Sequence, residues 1–305
     1  MPFVKETFCV SAPKKAYAFL EDLGFSTKQS QKIIDKGRLR HNGSVVKKSQ
    51  IVQGNVELTH FKAQHFGLEP LFCNDDFCVY DKPHNLLIHP KGLFTHHSLN
   101  DCLKSRFGAQ ANPIHRLDYE TSGLVLCALH KNAEAELKHL FAKRNVIKTY
   151  TAIVRGIVER DEILIDTPIL TCNNGRDLSI RSRVSPQGKD ALTRLKVLAR
   201  DKKTNQTLLH LTPITGRTHQ LRVHLDSIWH PIVGDLLYGV NDECAREFLE
   251  SKRVARDKGA QILTSRLLLN ASSIAFSYKH TYFCFFSMLQ KDILHTFYST
   301  QSLDC

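Results

Sequence analysis

Residues 115–129 read HRLDYETSGLVLCAL, and the change of character at Gly123 decides how the fold around them is read. The second half, LVLCAL, is a short continuous apolar run and reads as a strand. The first half has no hydrophobic alternation and crowds His115, Arg116, Asp118 and Glu120 into six positions. A charged loop beside a buried strand is more often a site than a scaffold. Asp118, Thr121 and Ser122 are also good turn formers, with Gly123 to close the turn. On these residues alone, turn and site stay equally open. A serine hydrolase would place its nucleophile in G-x-S-x-G, whereas Ser122 stands in ETSGL. A glycosidase would set two carboxylates on either side of a bond; Asp118 and Glu120 stand two apart, and residues so close rarely flank one, which leaves a glycan-active enzyme as a third reading.

Outward from this stretch the pattern is that of an α+β domain, a mostly antiparallel mixed sheet with flanking helices. DFCVYDKP before it reads as a strand. NAEAELKHLFAKRN after it reads as a helix, with Ala133, Leu137, Leu140 and Phe141 on one face and a Glu134–Lys138 pair at i,i+4. Then come the strands VIKTYTAIVRG and EILID, hairpins around NNG and DKKTNQ, a helix from about Thr218, and the apolar strand YFCFFSML. This domain is expected over 71–300, after a linker at 63–70.

Residues 1–62 have a separate character. KKAYAFLEDLG and STKQSQKIIDKG are two short helices, the second capped by Ser26. RLRHNGSVVKKS follows as a hairpin turning at Asn42-Gly43, and VQGNVELT as a strand. Cations gather here: Lys28, Lys32, Lys36, Arg38, Arg40, Lys47 and Lys48, opposed between Thr27 and Lys48 by Asp35 alone. The whole chain carries 42 Lys and Arg against 30 Asp and Glu, a formal charge of +12. Such an excess points to a polyanionic partner, because each phosphate contact releases condensed counterions. MPFVKETFCVSAPKK has no apolar core of a signal peptide, and no stretch is long and apolar enough to span a bilayer. Nine cysteines without a C-x-x-C pair suit free thiols in the reducing cytoplasm. His84, His89, His96 and His97 have no second cluster at ligand spacing, so no metal is expected.

Two further segments carry chemistry. In TPITGRTHQLRVHL, Arg217 and Arg222 fall at or near a helix N-terminus, where the dipole disfavours a cation by about 0.3–1 kcal/mol. An anion would offset this, since an ion pair at ~4 Å and an effective dielectric near 20 is worth about 4 kcal/mol before desolvation. In VIKTYTAIVRG, period two puts Lys148, Tyr150 and Ala152 on one strand face. A tyrosine among cations can stack a nucleobase or simply fill a core.

HRLDYETSGL, KTYTAIVRG, GRTHQLRVHL and HPIVGDLLYG, in that order, resemble the RluA-type RNA pseudouridine synthases, and DFCVYDKPHNLLIHP resembles the start of that family's catalytic domain. The helix–helix–hairpin with KIIDKGRLRHNG resembles the S-four-like (alpha-L) RNA-binding domain that the RluC- and RluD-like members carry. The resemblance implies an isomerase that turns uridine into pseudouridine in RNA, without cofactor or metal; a monomer is expected, though the sequence does not decide the oligomeric state. Ribosomal RNA of the large subunit is the first substrate it suggests and transfer RNA the second. Asp118 would be the catalytic carboxylate, Arg217 its first-choice partner and Arg222 the second, and Tyr150 the contact to the base. Arg116 would help extrude the nucleotide, which must leave the stack to be reached. His115, Thr121 and Lys148 would line the substrate site, and Lys28, Lys32 and Arg38 would hold RNA from the N-terminal domain. The chain departs from the family at His84-Asn85, where a small residue and Gly are usual, at Trp229 in place of Gly, and at Asn270 in place of His. Asn at 85 tolerates a left-handed backbone; the indole of Trp229 must find room. A non-catalytic RNA-binding or ribosome-assembly factor on the same fold is the competing reading, since the basic residues serve either.

Overall fold

The computed structural model describes residues 3–63, 65–89, 97–171, 181–257 and 266–299. They form two compact units, one built mainly from the first 64 residues, the other from His65–His89 and the chain from Ser98 on.

The N-terminal unit runs β1 (Phe3–Lys15), α1 (Ala16–Asp22), α2 (Thr27–Asp35), β2 (Leu39–His41), β3 (Ser44–Val45) and β4 (Ile51–Phe61), with the sheet order β1-β4-β2-β3. Ser26 starts α2 with a capping box to Gln29. The β2–β3 turn has φ 49° at Asn42 and 78° at Gly43, the left-handed pair that a tight hairpin requires. Phe19, Leu20, Ile33, Ile34, Leu39 and Leu58 pack its core. The long strand β1 has no counterpart in the sequence reading. Of its thirteen residues Val10 alone is fully buried, and Glu6 on the more covered face with Cys9 on the exposed one hides its alternation from the sequence.

The second unit begins with β5 (Phe72–Cys73), β6 (Phe77–Lys82), α3 (Leu99–Phe107), β7 (Asn112–Pro113), β8 (Ser122–Ala128) and α4 (Lys131–Ala142). It continues through β9 (Val146–Arg155), β10 (Glu162–Asp166), β11 (Ile169–Thr171), β12 (Ser182–Val184), β13 (Leu192–Asp201), β14 (Gln206–Pro213) and α5 (Gln220–Ser227). It closes with α6 (Asp242–Asp257), β15 (Leu269–Tyr278), β16 (Thr281–Phe286) and α7 (Gln290–Ser299). Ten strands form one sheet in the path β10-β13-β14-β9-β15-β8-β6-β5, with β16 on β15 and β7 on β8. Its pairs are antiparallel except β15 with β8.

The apolar run of β8 is explained by this sheet. Leu124, Leu126 and Ala128 enter one core with Phe77, Val79 and Phe276, while Val125 and Cys127 enter another with Cys78, Tyr80 and Ala152. Period two thus serves two buried faces. Gly123, at φ 112°, passes so close to β15 that a Cβ would lie 2.4 Å from the Ala271 carbonyl oxygen. That close approach brings the chain out of the 115–121 loop directly into the centre of the sheet. The DKKTNQ hairpin joins β13 to β14; the one expected around NNG lies outside the described residues. Among the described residues, no helix is long and apolar enough to cross a membrane.

Candidate active site

The site is assembled where the 115–121 loop meets the N-terminus of α5. Gln220 holds the turn that starts the helix: its Oε1 accepts from the Arg217 N–H at 3.0 Å and the Thr215 hydroxyl at 2.7 Å, and its Nε2 donates to Leu192 and Thr193. Side chains on a helix lean towards its N-terminus. Arg222, inside the first turn, therefore reaches back towards the loop. Its Nε and Nη2 donate to the two oxygens of Asp235 at 2.6 and 2.7 Å, a bidentate pair with both side chains buried. Asp235 is itself held by the N–H groups of Leu237 and Tyr238.

The remaining guanidinium nitrogen, Nη1, lies 3.6 Å from Asp118 Oδ2 and 3.7 Å from Glu120 Oε2. It has no partner at hydrogen-bond distance although it is fully buried. Burial alone would lower the Arg222 pKa, but the charges of Asp235, Asp118 and Glu120 outweigh it and raise it further. The dipole penalty expected for a cation here is thus offset by three carboxylates. Asp118 and Glu120, two apart in sequence, face the same guanidinium.

Asp118 opens onto a cleft of about 770 Å³. Tyr150 and Lys148, neighbours on one face of β9, line the same cleft. Burial, and then the nearby Asp118 charge, push the Tyr150 phenol pKa upward, so it stays protonated. The Lys148 pKa is lowered by burial.

With that geometry in place, comparison with known proteins identifies the fold and its chemistry. Residues 76–227 match the RNA pseudouridylate synthase family. An uncharacterized RNA pseudouridine synthase of Helicobacter pylori (strain ATCC 700392 / 26695) is 48% identical, with 92% of each chain covered. The dual-specificity RNA pseudouridine synthase RluA of Pasteurella multocida is 37% identical over 70% of this chain and 89% of its own. Among solved structures, human RNA Pseudouridylate Synthase Domain Containing 1 is similar with a TM-score of 0.56 and 28% identity, covering 72% of this chain and 82% of that one. The chain belongs to the RluA-type family of RNA pseudouridine synthases. It is an isomerase acting on RNA.

Against this family frame, His115, Arg116, Thr121, Arg217 and Arg222 all line the cleft with Asp118, Lys148 and Tyr150. The place beside Asp118 expected first for Arg217 is taken by Arg222. Arg217, outside the helix, turns its Nε to the Asp190 carbonyl at 2.9 Å. His115 accepts from the Leu126 N–H at 3.1 Å and stacks on Phe141, and burial pushes its pKa down to about 3. It is a neutral brace for the loop. Lys28 and Lys32 stand exposed on α2 in the other unit, whereas Arg38 lies 4.3 Å over the Phe3 ring and is half-buried.

Several residues of the site received no role from the sequence. Lys82, fully buried at the end of β6, donates to the carbonyls of Pro83, Leu86 and Tyr119 at 2.9, 3.0 and 3.4 Å. It staples the 83–86 turn to the loop bearing Asp118. Burial pushes its pKa down to about 7, against the opposing pull of Glu120 and Asp118. Lys82, Asp235 and Tyr238 all lie in segments that carried the resemblance, but only their contacts reveal their parts. The departures are accommodated. Asn85 takes φ 58°, and Trp229 takes φ 65° and is 89% exposed, turned to solvent rather than packed. Asn270 is buried and donates to the Ser122 and Ser287 hydroxyls.

Proposed function

We propose that this chain makes pseudouridine in large-subunit ribosomal RNA, with Asp118 as the reacting carboxylate, as an RluC- or RluD-like member whose basic N-terminal unit grips the RNA. The observation that carries the reading is the pairing at the cleft wall: a carboxylate 28% exposed beside a guanidinium 2% exposed. The buried charge fixes the carboxylate, and the open side leaves it free to react. Tyr150 in the cleft lining and exposed Arg116 support a reading in which an extruded uridine enters there, its base meeting Tyr150. Asp118 then attacks the anomeric carbon or removes the adjacent ribose proton. On either route the C1′–N1 bond breaks, the uracil turns, and C1′–C5 forms. The hydrogen lost from C5 is balanced by one gained at N1. Exposed Lys28 and Lys32 on α2 support a phosphate-binding role for the N-terminal unit.

The test is Asp118→Asn, which keeps the shape and removes the charge. It is expected to abolish pseudouridine formation while RNA affinity stays within a few-fold. Equal product from both proteins would refute the assignment. Mapping pseudouridines across total RNA, with and without the gene, is expected to show a site lost from large-subunit ribosomal RNA. A loss confined to transfer RNA would overturn the substrate and leave the chemistry.

A further inference from the structure

His219 lies against Asp118 in a backbone conformation that few residues adopt. It is the N-cap of α5 at φ 57°, the left-handed region that a Cβ disfavours. Strain of this kind in the middle of a site is a reason to ask what the side chain does. Its ring stands edge-on to Tyr238, with centroids 5.7 Å apart. Its Nδ1 is 2.9 Å from the Tyr238 hydroxyl, and its Nε2 is 3.8 Å from Asp118 Oδ1.

The hydrogen-bond pattern determines where the imidazole carries its proton. The Ser182 N–H donates to the Tyr238 hydroxyl at 2.8 Å. That hydroxyl keeps one hydrogen of its own, and among the described residues His219 Nδ1 is the acceptor it meets. Nδ1 is therefore the lone-pair nitrogen, and a neutral imidazole then has its hydrogen on Nε2. The opposite tautomer would aim a lone pair at a carboxylate and leave the phenolic hydrogen without an acceptor. Burial lowers the His219 pKa; Asp118, Glu120 and Asp235 oppose that, and Arg222 adds to it, so the ring is neutral at pH 7. The same tyrosine lies with its ring 5.2 Å from the Arg222 guanidinium carbon. Tyr238 thus contacts both groups that flank Asp118.

We propose that His219, set in its Nε2–H form by Tyr238, is a positioning residue that aims the Asp118 carboxylate, guarding Oδ1 while Arg222 guards Oδ2. The inference rests on Asp118 being the reacting carboxylate. At 3.8 and 3.6 Å neither contact is a hydrogen bond. The carboxylate is directed by two fixed positive ends and keeps its lone pairs for the ribose. Tyr238 acts one step further back, by choosing the tautomer.

The test compares wild type, His219→Asn, Tyr238→Phe and Asp118→Asn as full-length chains. Asn is chosen at 219 because it tolerates the left-handed backbone and cannot reach Asp118. The substrate is total RNA carrying tritium at uridine C5, taken from cells lacking the gene, and single-turnover tritium release is followed. His219→Asn is expected to lower the rate constant by about 10- to 100-fold, the scale of a misdirected reacting group, with RNA affinity within about twofold. ¹⁵N spectra of the wild-type ring are expected to show Nδ1 bare and Nε2 protonated, and Tyr238→Phe to mix the two tautomers. A wild-type rate for His219→Asn, with Asp118→Asn inactive, would overturn the positioning role alone. Release by Asp118→Asn would instead overturn the reading beneath it. Should His219→Asn fail to fold, a proton on Nδ1 in the wild type would still refute the proposal.

Discussion

Replacing Arg222 with Gln separates a buried ion cluster from a merely buried side chain. The guanidinium is 2% exposed and its bidentate partner Asp235 is wholly buried, so water cannot take over when the charge is removed. At 3.6 and 3.7 Å, Asp118 and Glu120 add two more attractions. Each is worth about 4–5 kcal/mol at an effective dielectric near 20, before desolvation. Desolvation of the arginine cancels much of this, so the sum is not the cost. The cost is what remains when three carboxylates lose their cation. Breaking a buried pair by removing one partner typically costs about 3–5 kcal/mol. For a unit of this size that is a fall of roughly 10 °C in the melting midpoint. Urea and thermal denaturation of Arg222→Gln, Asp235→Asn and the double variant measure it. The double variant removes a charge of each sign and should fall short of the sum of the singles by about 1–3 kcal/mol. A single variant melting within about 2 °C of wild type, or strict additivity, would refute the reasoning.

Two other perturbations test the support behind the loop. Lys82, with a pKa near 7 in the fold against 10.5 in the reference state, is protonated in both states below pH 7. Between pH 7 and 10.5 the unfolded chain binds the extra proton. Stability should therefore rise with pH across that window, by at most about 1.4 kcal/mol per pH unit. Melting wild type and Lys82→Met at pH 6, 7, 8 and 9 checks this, since the rise attributable to Lys82 must be absent from the variant; parallel profiles would contradict it. Gly123→Ala places a Cβ 2.4 Å from the Ala271 carbonyl oxygen and 2.5 Å from its nitrogen, at φ 112°. Backbone on both sides cannot yield, so a loss above about 3 kcal/mol in urea is expected, and a loss under 1 kcal/mol would show that β8 and β15 are not so tightly paired.

What the sequence determines by itself is whatever depends on near neighbours. The apolar run LVLCAL makes a strand, Asn42-Gly43 turns a hairpin, Ser26 starts a helix, and Asn85 accepts a left-handed turn. Each follows from spacings of two to four residues or from one side chain's conformational range. Tertiary structure alone decides the rest. β1 carries Glu6 on its more covered face and Cys9 on its exposed one, which breaks the apolar pattern in the sequence. Arg217 and Arg222 both sit by a helix N-terminus; which one meets Asp118, about a hundred residues away, depends on the helical side chain leaning back while the loop arginine turns to Asp190. Tyr238 and Ser182 set the tautomer of His219 from separate segments. Charge, tautomer and aim are properties of contacts among distant segments, and only folding brings those contacts into being.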